Sequence, residues 1–333
     1  MGAPERTSLS RPSLLATHPL FPEARAILDA HFDVEYWSRP ERPTRAEFLK
    51  QVAAKDGVVC LLTEKIDKEM LVAAPKLRIA SNVAVGYDNI SVPDCTARKV
   101  AVTNTPGVLD ETTADFAWTL LMCVARRVGE GEELARSGKW AGWNLDQLCG
   151  GDVWGKTLGV IGFGRIGRAV ARRSLGFKMK VIYTDAIRAT PEIEKEVGGR
   201  FVDMDTLLRE ADFVTVHVPL MAGTHHLIST ERLKQMKRTA YLINTARGPV
   251  VDNEALYQAL KAGTIAGAAL DVHEHEPKVH PGLITLKNVV LEPHLASASV
   301  ETRTRMAVMA AENVTAFFAG KRPANILNPE VLG

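Results

Sequence analysis

The run Thr157-Leu158-Gly159-Val160-Ile161-Gly162-Phe163-Gly164-Arg165-Ile166-Gly167 constrains this chain more than any other segment. An apolar, β-branched strand pattern leads into G-x-G-x-x-G, and a helix-like segment continues through Leu175. Gly162 permits the tight turn, Gly164 lets a pyrophosphate approach the backbone, and Gly167 lets helix and strand pack closely. The helix that opens there aims unpaired N–H groups at phosphate. Glycine-rich turns are common, so the context decides. A second strand, Lys180–Thr184, delivers Asp185 eighteen residues after Gly167. A carboxylate at that place accepts hydrogen bonds from an adenosine ribose and repels a 2′-phosphate. A dinucleotide site is the expectation.

The pattern on either side is α/β. Before the turn, candidate strands Leu14–Thr17, Val34–Trp37, Val58–Leu62, Leu77–Ser81 and Ala101–Thr103 alternate with helix-like stretches such as Pro22–Ala30 and Arg45–Ala54. Such βαβ alternation implies a parallel sheet covered on both faces. Thr105-Pro106-Gly107 breaks it and reads as a crossover between domains. Thr112 to Arg127 is helical and apolar at nearly every position, which implies burial all round, by its own domain or by a partner subunit. A polar helix, Gly129–Lys139, and a Gly/Trp/Asp-rich loop, Trp140–Trp154, follow; the tryptophans suggest packing or an interface. The second set of strands is Leu158–Ile161, Val181–Thr184, Phe213–Val218, Ala240–Asn244, Ala266–Leu270 and Val289–Leu291, and a last helix spans Val300–Phe318. Several of these strands end in polar or ionisable residues: Asp185, His217, Thr245, Asp271, Glu292 and His294. Ligands of open parallel sheets bind outside the carboxyl ends of the strands.

Composition narrows the classes. In 333 residues with a net charge of +2, basic and acidic side chains are interleaved, which gives no electrostatic case for nucleic acid or an anionic membrane. The longest apolar run, Phe116–Ala125, is too short to span a bilayer. Cys60, Cys95, Cys123 and Cys149 form no C-x-x-C pair and read as buried free thiols of a reducing compartment. The opening residues lack the apolar core of a signal peptide, so the expected location is the cytoplasm.

Three residues beyond the turn invite chemistry. Arg247, in Asn244-Thr245-Ala246-Arg247-Gly248-Pro249, follows a strand, and its guanidinium can take a carboxylate bidentately and polarise the neighbouring carbonyl. Glu276 lies in Asp271-Val272-His273-Glu274-His275-Glu276-Pro277, and His294 in Glu292-Pro293-His294-Leu295-Ala296-Ser297. A histidine oriented by a carboxylate moves protons near neutral pH, and hydride delivery to a ketone needs such a donor for the developing alkoxide. His273, His275 and His280, with Glu274 and Glu276 nearby, raise a metal reading, but no strong Cys/His ligand pair accompanies them and no metal is expected.

These motifs, in this order, resemble the D-isomer-specific 2-hydroxyacid dehydrogenases over essentially the whole length, most closely the glyoxylate/hydroxypyruvate reductases. Further matching segments are Asn82–Ile90, Thr103–Val108, Thr113–Ala117, Gly155–Gly159, Ala268–Pro277 and Pro293–Arg303. The resemblance implies that Arg247 binds the substrate's carboxylate and carbonyl, that His294 is the acid/base, and that Glu276, not Glu274, assists it. Backbone N–H groups of Val85 and Gly86 are then expected to hold the substrate carboxylate. The expected cofactor lining is Thr113, Gly162, Phe163, Gly164, Arg165, Ile166, Gly167, Asp185, Arg188, His217, Val218, Pro219, Thr245, Ala246, Arg247, Asp271, His294, Ala296 and Ser297. The implied fold is two doubly wound parallel-sheet α/β domains with a cleft between them. Residues 1–104 plus 298–333 form a flavodoxin-like substrate domain, and residues 105–297 form a Rossmann NAD-binding domain whose 112–127 helix serves a homodimer. His273 stands where relatives usually carry Phe or Tyr, and Glu292 where a small residue or Thr is common. Asp185 argues for NAD(H), while Arg188 leaves NADP(H) open. The expected reaction is reduction of small 2-oxo acids, glyoxylate or hydroxypyruvate first. The alternatives are D-lactate or D-3-phosphoglycerate chemistry and, in another class, an NAD-sensing binding protein.

Overall fold

The computed structural model describes residues 11–333 and divides the chain into two compact units, Met1–Leu109 with Ser299–Gly333, and Asp110–Ala298. The division falls at 109/110 rather than 104/105, because Asn104 and Thr105 stay tied to the first unit. Their N–H groups donate to the carbonyls of Asn325 and Ala84.

The first unit runs β1 (Ser13–Ala16), α1 (Pro22–His31), β2 (Asp33–Tyr36), α2 (Arg45–Val52), β3 (Gly57–Cys60), α3 (Lys68–Ala73), β4 (Ile79–Asn82), α4 (Val92–Ala97) and β5 (Ala101–Thr103). Its five strands are parallel in the order β2-β1-β3-β4-β5, the doubly wound order of flavodoxin-like sheets. Alternation places adjacent residues on opposite faces. Leu15 and Val58 pack with Phe48 and Met70, whereas Leu14 and Val59 pack with Leu28 and Ala310.

The second unit runs α5 (Asp110–Ala125), α6 (Val128–Arg136), β6 (Thr157–Ile161), α7 (Arg165–Ser174), β7 (Lys180–Thr184), α8 (Pro191–Val197), β8 (Gly199–Phe201), α9 (Met204–Glu210), β9 (Phe213–Val216), α10 (Thr230–Gln235), β10 (Tyr241–Asn244), α11 (Asn253–Lys261), β11 (Gly267–Leu270), α12 (Pro281–Ile284) and β12 (Val289–Leu291). The last helix, α13 (Val300–Phe318), belongs to the first unit. Seven parallel strands lie in the order β12-β11-β10-β9-β6-β7-β8, so strand order reverses between β6 and β9. That reversal is where a doubly wound sheet opens a crevice for a ligand.

One expectation is narrowed and another corrected. Helix α5 is not buried all round by its own unit: Glu111, Asp115 and Thr119 form an exposed edge, and Glu111 and Asp115 pair with Arg173. The cysteines are all free, but only Cys60 and Cys95 are buried, while Cys123 is partly buried and Cys149 is exposed. Among the described residues, no helix is long and apolar enough to cross a membrane.

Candidate active site

The strand register of the second unit lines up its chemistry. Ile161 pairs with Thr184 on one side and Val216 on the other, Asn244 with Val216 and Leu270, and Leu270 with Leu291. The next residues, Asp185, Gly162, His217, Thr245, Asp271 and Glu292, therefore form one row at the carboxyl edge of the sheet.

The turn after β6 is built by its glycines. Gly162 has φ +91°, and a Cβ there would lie 2.7 Å from the His217 carbonyl. A Cβ on Gly167 would lie 2.1 Å from the Gly162 oxygen, so helix and strand touch backbone to backbone. At Gly164 the space is open, and Gly164 caps α7 without any side-chain hydrogen bond. The exposed first turn of α7 thus offers N–H groups to an anion. Asp185 accepts the Phe163 N–H at 2.5 Å and the Ile187 N–H at 3.3 Å, while the Phe163 ring is buried against Tyr183. Arg188 forms a two-pronged pair with Glu194, 2.9 Å on each prong, and Tyr183 Oη donates to the same carboxylate. Arg165 pairs with Asp110 at 2.6 Å. Thr113 is buried in the first turns of α5. Burial pushes the His217 ring down to about 3, which keeps it neutral, with Nε2 2.8 Å from Thr215 Oγ1. Val218 and Pro219 continue from it, and Ala246 N–H donates to Asn244 Oδ1. The buried Thr245 Oγ1 has no protein partner, a vacant hydrogen bond in the middle of the row. Open space at Gly164, uncapped amides and this orphaned hydroxyl fit a bound dinucleotide.

The three proposed catalytic side chains follow consecutive strands: Arg247 after β10, Glu276 after β11 and His294 after β12. Asn244 braces the first loop by donating to the Arg247 carbonyl at 2.9 Å. The first two loops touch, since a Cβ on Gly248 would fall 2.0 Å from the His273 carbonyl. His294 Nδ1 lies 3.0 Å from Glu276 Oε2, and the other Glu276 oxygen accepts the His273 N–H at 3.0 Å. Burial pushes the Glu276 carboxyl up, but the His294 hydrogen bond and charge, with the His273 N–H, outweigh it and hold it below the ordinary range.

Asp271 is fully buried and receives the Leu295 N–H at 2.6 Å and the Ala296 N–H at 2.9 Å, while its own carbonyl takes the His294 N–H. Both carboxylate oxygens are thus committed to the 294–297 turn, which carries Ser297. Asp271 acts as its scaffold. Burial raises its carboxyl despite these donors, and burial with the nearby Asp271 charge raises Glu292 too. His273 donates through the site by its backbone while its buried ring puts Nε2 2.9 Å from the Glu292 carbonyl. His280 turns to Glu254 and caps α12, so the histidines of this loop do not gather. Val85 and Gly86 lie in the first unit, after β4, where the carbonyls of both residues accept side-chain amides from Asn104 and Asn82.

A contact that the sequence pattern does not reveal is made by His226 with Glu274, at 2.6 Å across 48 residues. Only the meeting of the loops after β9 and β11 creates it.

Residues 118–296 match the model of the D-isomer specific 2-hydroxyacid dehydrogenase NAD binding domain. The chain is 51% identical over 325 residues to the glyoxylate reductase of Korarchaeum cryptofilum, covering 97% of each. It is 47% identical to the glyoxylate reductase of Thermococcus litoralis, covering 97% of this chain and 98% of that one. Among solved structures, it matches the NADPH-dependent glyoxylate/hydroxypyruvate reductase of Sinorhizobium meliloti, determined with NADP and malonate. The TM-score is 0.85 at 33% identity, covering 96% of this chain and 98% of that one. With the strand-end row, the glycine turn and the His294–Glu276 pair already in place, these likenesses lead to one conclusion: the chain belongs to the D-isomer specific 2-hydroxyacid dehydrogenases, NAD(P)-dependent enzymes.

Proposed function

We propose that this enzyme reduces small 2-oxo acids, glyoxylate and hydroxypyruvate first, with His294 as the proton donor. The observation that carries the reading is the His294–Glu276 pair at 3.0 Å, on a turn fixed by Asp271. Bound NAD(P)H supplies the hydride. Arg247 takes the substrate's carboxylate and polarises its carbonyl oxygen. His294 hands its proton to that oxygen as negative charge develops, and Glu276 keeps the ring aimed and stabilises its charged form. Water must be kept out while this happens, or the electrostatic contribution of Arg247 falls.

NADH is the favoured reductant in this reading. Asp185 presents a negative charge at the ribose end of the turn, and Arg188 is engaged with Glu194. The Sinorhizobium relative is NADPH-dependent, so the preference is a property to be measured in this chain. Free thiols support a reducing, cytoplasmic setting. The exposed Trp140, Trp143, Leu145 and Trp154 support a homodimer.

The test is turnover of NADH with glyoxylate and hydroxypyruvate by the wild type and by His294→Ala. The expected loss of kcat is roughly 10²–10⁴-fold, with NADH affinity unchanged by fluorescence titration. Comparable turnover by the variant would remove His294 from the mechanism. If neither substrate is reduced by a wild type that binds NADH, a dinucleotide-sensing protein or a dehydrogenase for other 2-hydroxy acids becomes the better reading.

A further inference from the structure

The meeting of His226 with Glu274 has a third member. His225, His226 and Glu274 each offer a ligating atom, and these atoms all lie within 4.8 Å of one another. The two rings stack with centroids 4.1 Å apart. This group is separate from His294 and Glu276, and the reduction proposed above makes no use of it. We propose that it is a binding site for a late first-row divalent cation, Zn²⁺ foremost, with His225, His226 and Glu274 as ligands and water in the fourth place.

The chemistry of the donors selects the metal. Two imidazoles and one carboxylate suit zinc or its neighbours, whereas magnesium and calcium prefer oxygen throughout. Bonds of ~2.1 Å place the ligands of a tetrahedral zinc roughly 3.4 Å apart. The group is already inside 4.8 Å, so side-chain rotation, chiefly of the exposed His225, closes it.

The surroundings supply what metal ligands need behind them. A ligating histidine is usually oriented by a carboxylate on its other nitrogen. His226 faces Glu274 with Nε2, and its Nδ1 lies 3.7 Å from Asp252 Oδ2. The other Asp252 oxygen caps α11 by accepting the Ala255 N–H, which fixes the carboxylate. Glu274 is held through its second oxygen by the Asn253 N–H at 3.3 Å. The backbone of His226 is pinned as well: φ is +48°, and its N–H donates to the Pro249 carbonyl at 2.8 Å. A bound cation joins the loop after β9 to the loop after β11, two residues from Glu276, as a clamp on the segment that carries it.

The experiment is Zn²⁺ titration of the full chain by calorimetry, in a Cys149→Ser background that removes the exposed thiol as a competing ligand. One ion per chain with micromolar affinity is expected, together with a rise in melting temperature on saturation. His225→Ala and Glu274→Gln should each weaken binding at least tenfold. His225 is exposed, so its variant is expected to keep the melting temperature of the metal-free protein, which separates lost binding from lost folding. Co²⁺ in place of Zn²⁺ should give the visible absorption of a tetrahedral ion in the parent and not in His225→Ala. Binding no tighter than millimolar, or binding that survives both substitutions and therefore sits at His294–Glu276 or elsewhere, would overturn the site.

Discussion

His294 has φ +60°, a conformation that costs a non-glycine residue about 1–3 kcal/mol and persists only where the surroundings over-determine it. Here they do, through the Asp271 carbonyl on its N–H, the Asp271 carboxylate on the next two amides and Glu276 on its ring. The Glu276 carboxyl is lowered by that pairing even against its burial, and the sign of the pH effect follows. Its contribution to stability is complete above the ordinary carboxylate value, about 4.3, and is lost as pH falls through its depressed value. The melting temperature of the wild type should therefore exceed that of Glu276→Gln at about pH 5, and the margin should shrink below about pH 4. A margin independent of pH would show that the charge of Glu276 does not matter to folding. Asp185 sets a second expectation. Asp185→Ser removes the charge that repels a 2′-phosphate, so kcat/KM for NADPH relative to NADH should rise by roughly tenfold or more. Steady-state kinetics with both cofactors measures the ratio, and an unchanged ratio would pass the discrimination to other side chains. Strand-end chemistry was legible in the sequence because the sheet's register aligns residues that follow apolar runs. The buried task of Asp271 and the His226–Glu274 contact were not, since each depends on how separate loops meet.

At the scale of elements, the glycine turn makes two opposite predictions within one motif. Gly167→Ala would place a methyl 2.1 Å from the Gly162 oxygen, so α7 must be pushed off β6 and the melting temperature should fall by several degrees, the response to a loss of about 1–3 kcal/mol. Gly164→Ala meets nothing within 4 Å, so folding should be preserved while NADH affinity falls, because the methyl occupies the space of the approaching pyrophosphate. Thermal melts and NADH titration of both variants test this. Equal affinity in the wild type and Gly164→Ala would place the pyrophosphate elsewhere. Long periodic elements were legible from the chain: the five strands of the first sheet and six of the seven in the second follow apolar runs. The exception is β8, whose Gly199-Arg200-Phe201 carries no apolar alternation and pairs only with β7 at the edge of the sheet. Short helices such as α3 and α4 are equally quiet in the sequence, since six residues give too little periodicity to read. The open edge of α5 was hidden for another reason: Asp115 and Thr119 interrupt an apolar run too sparsely to mark a polar face.

For the whole molecule, the homodimer proposed above, expected from the resemblance to use the 112–127 helix, gains a further candidate contact in the segment between α6 and β6. Trp143 is 79% exposed and Leu145 82%, and with the exposed Trp140 and Trp154 they put four large apolar side chains on one short segment. Apolar groups displayed on one arm mark an association surface, and a two-fold axis uses the same patch twice. Beside the root of the arm lies a hollow of about 980 Å³, lined by Arg127, Glu130, Cys149, Asp152, Tyr241 and Lys287 among others. It offers a second copy's arm both apolar surface and charged partners. The proposed homodimer should therefore show a light-scattering mass of twice 36.3 kDa. Trp143→Ser combined with Leu145→Ser alters the arm in both protomers, so the loss is counted twice at a symmetric interface. The double variant should elute as a monomer at micromolar concentration while retaining its far-ultraviolet circular dichroism. A monomeric wild type would remove the arm from assembly, and a double variant that stays dimeric would move the interface to another face of the chain.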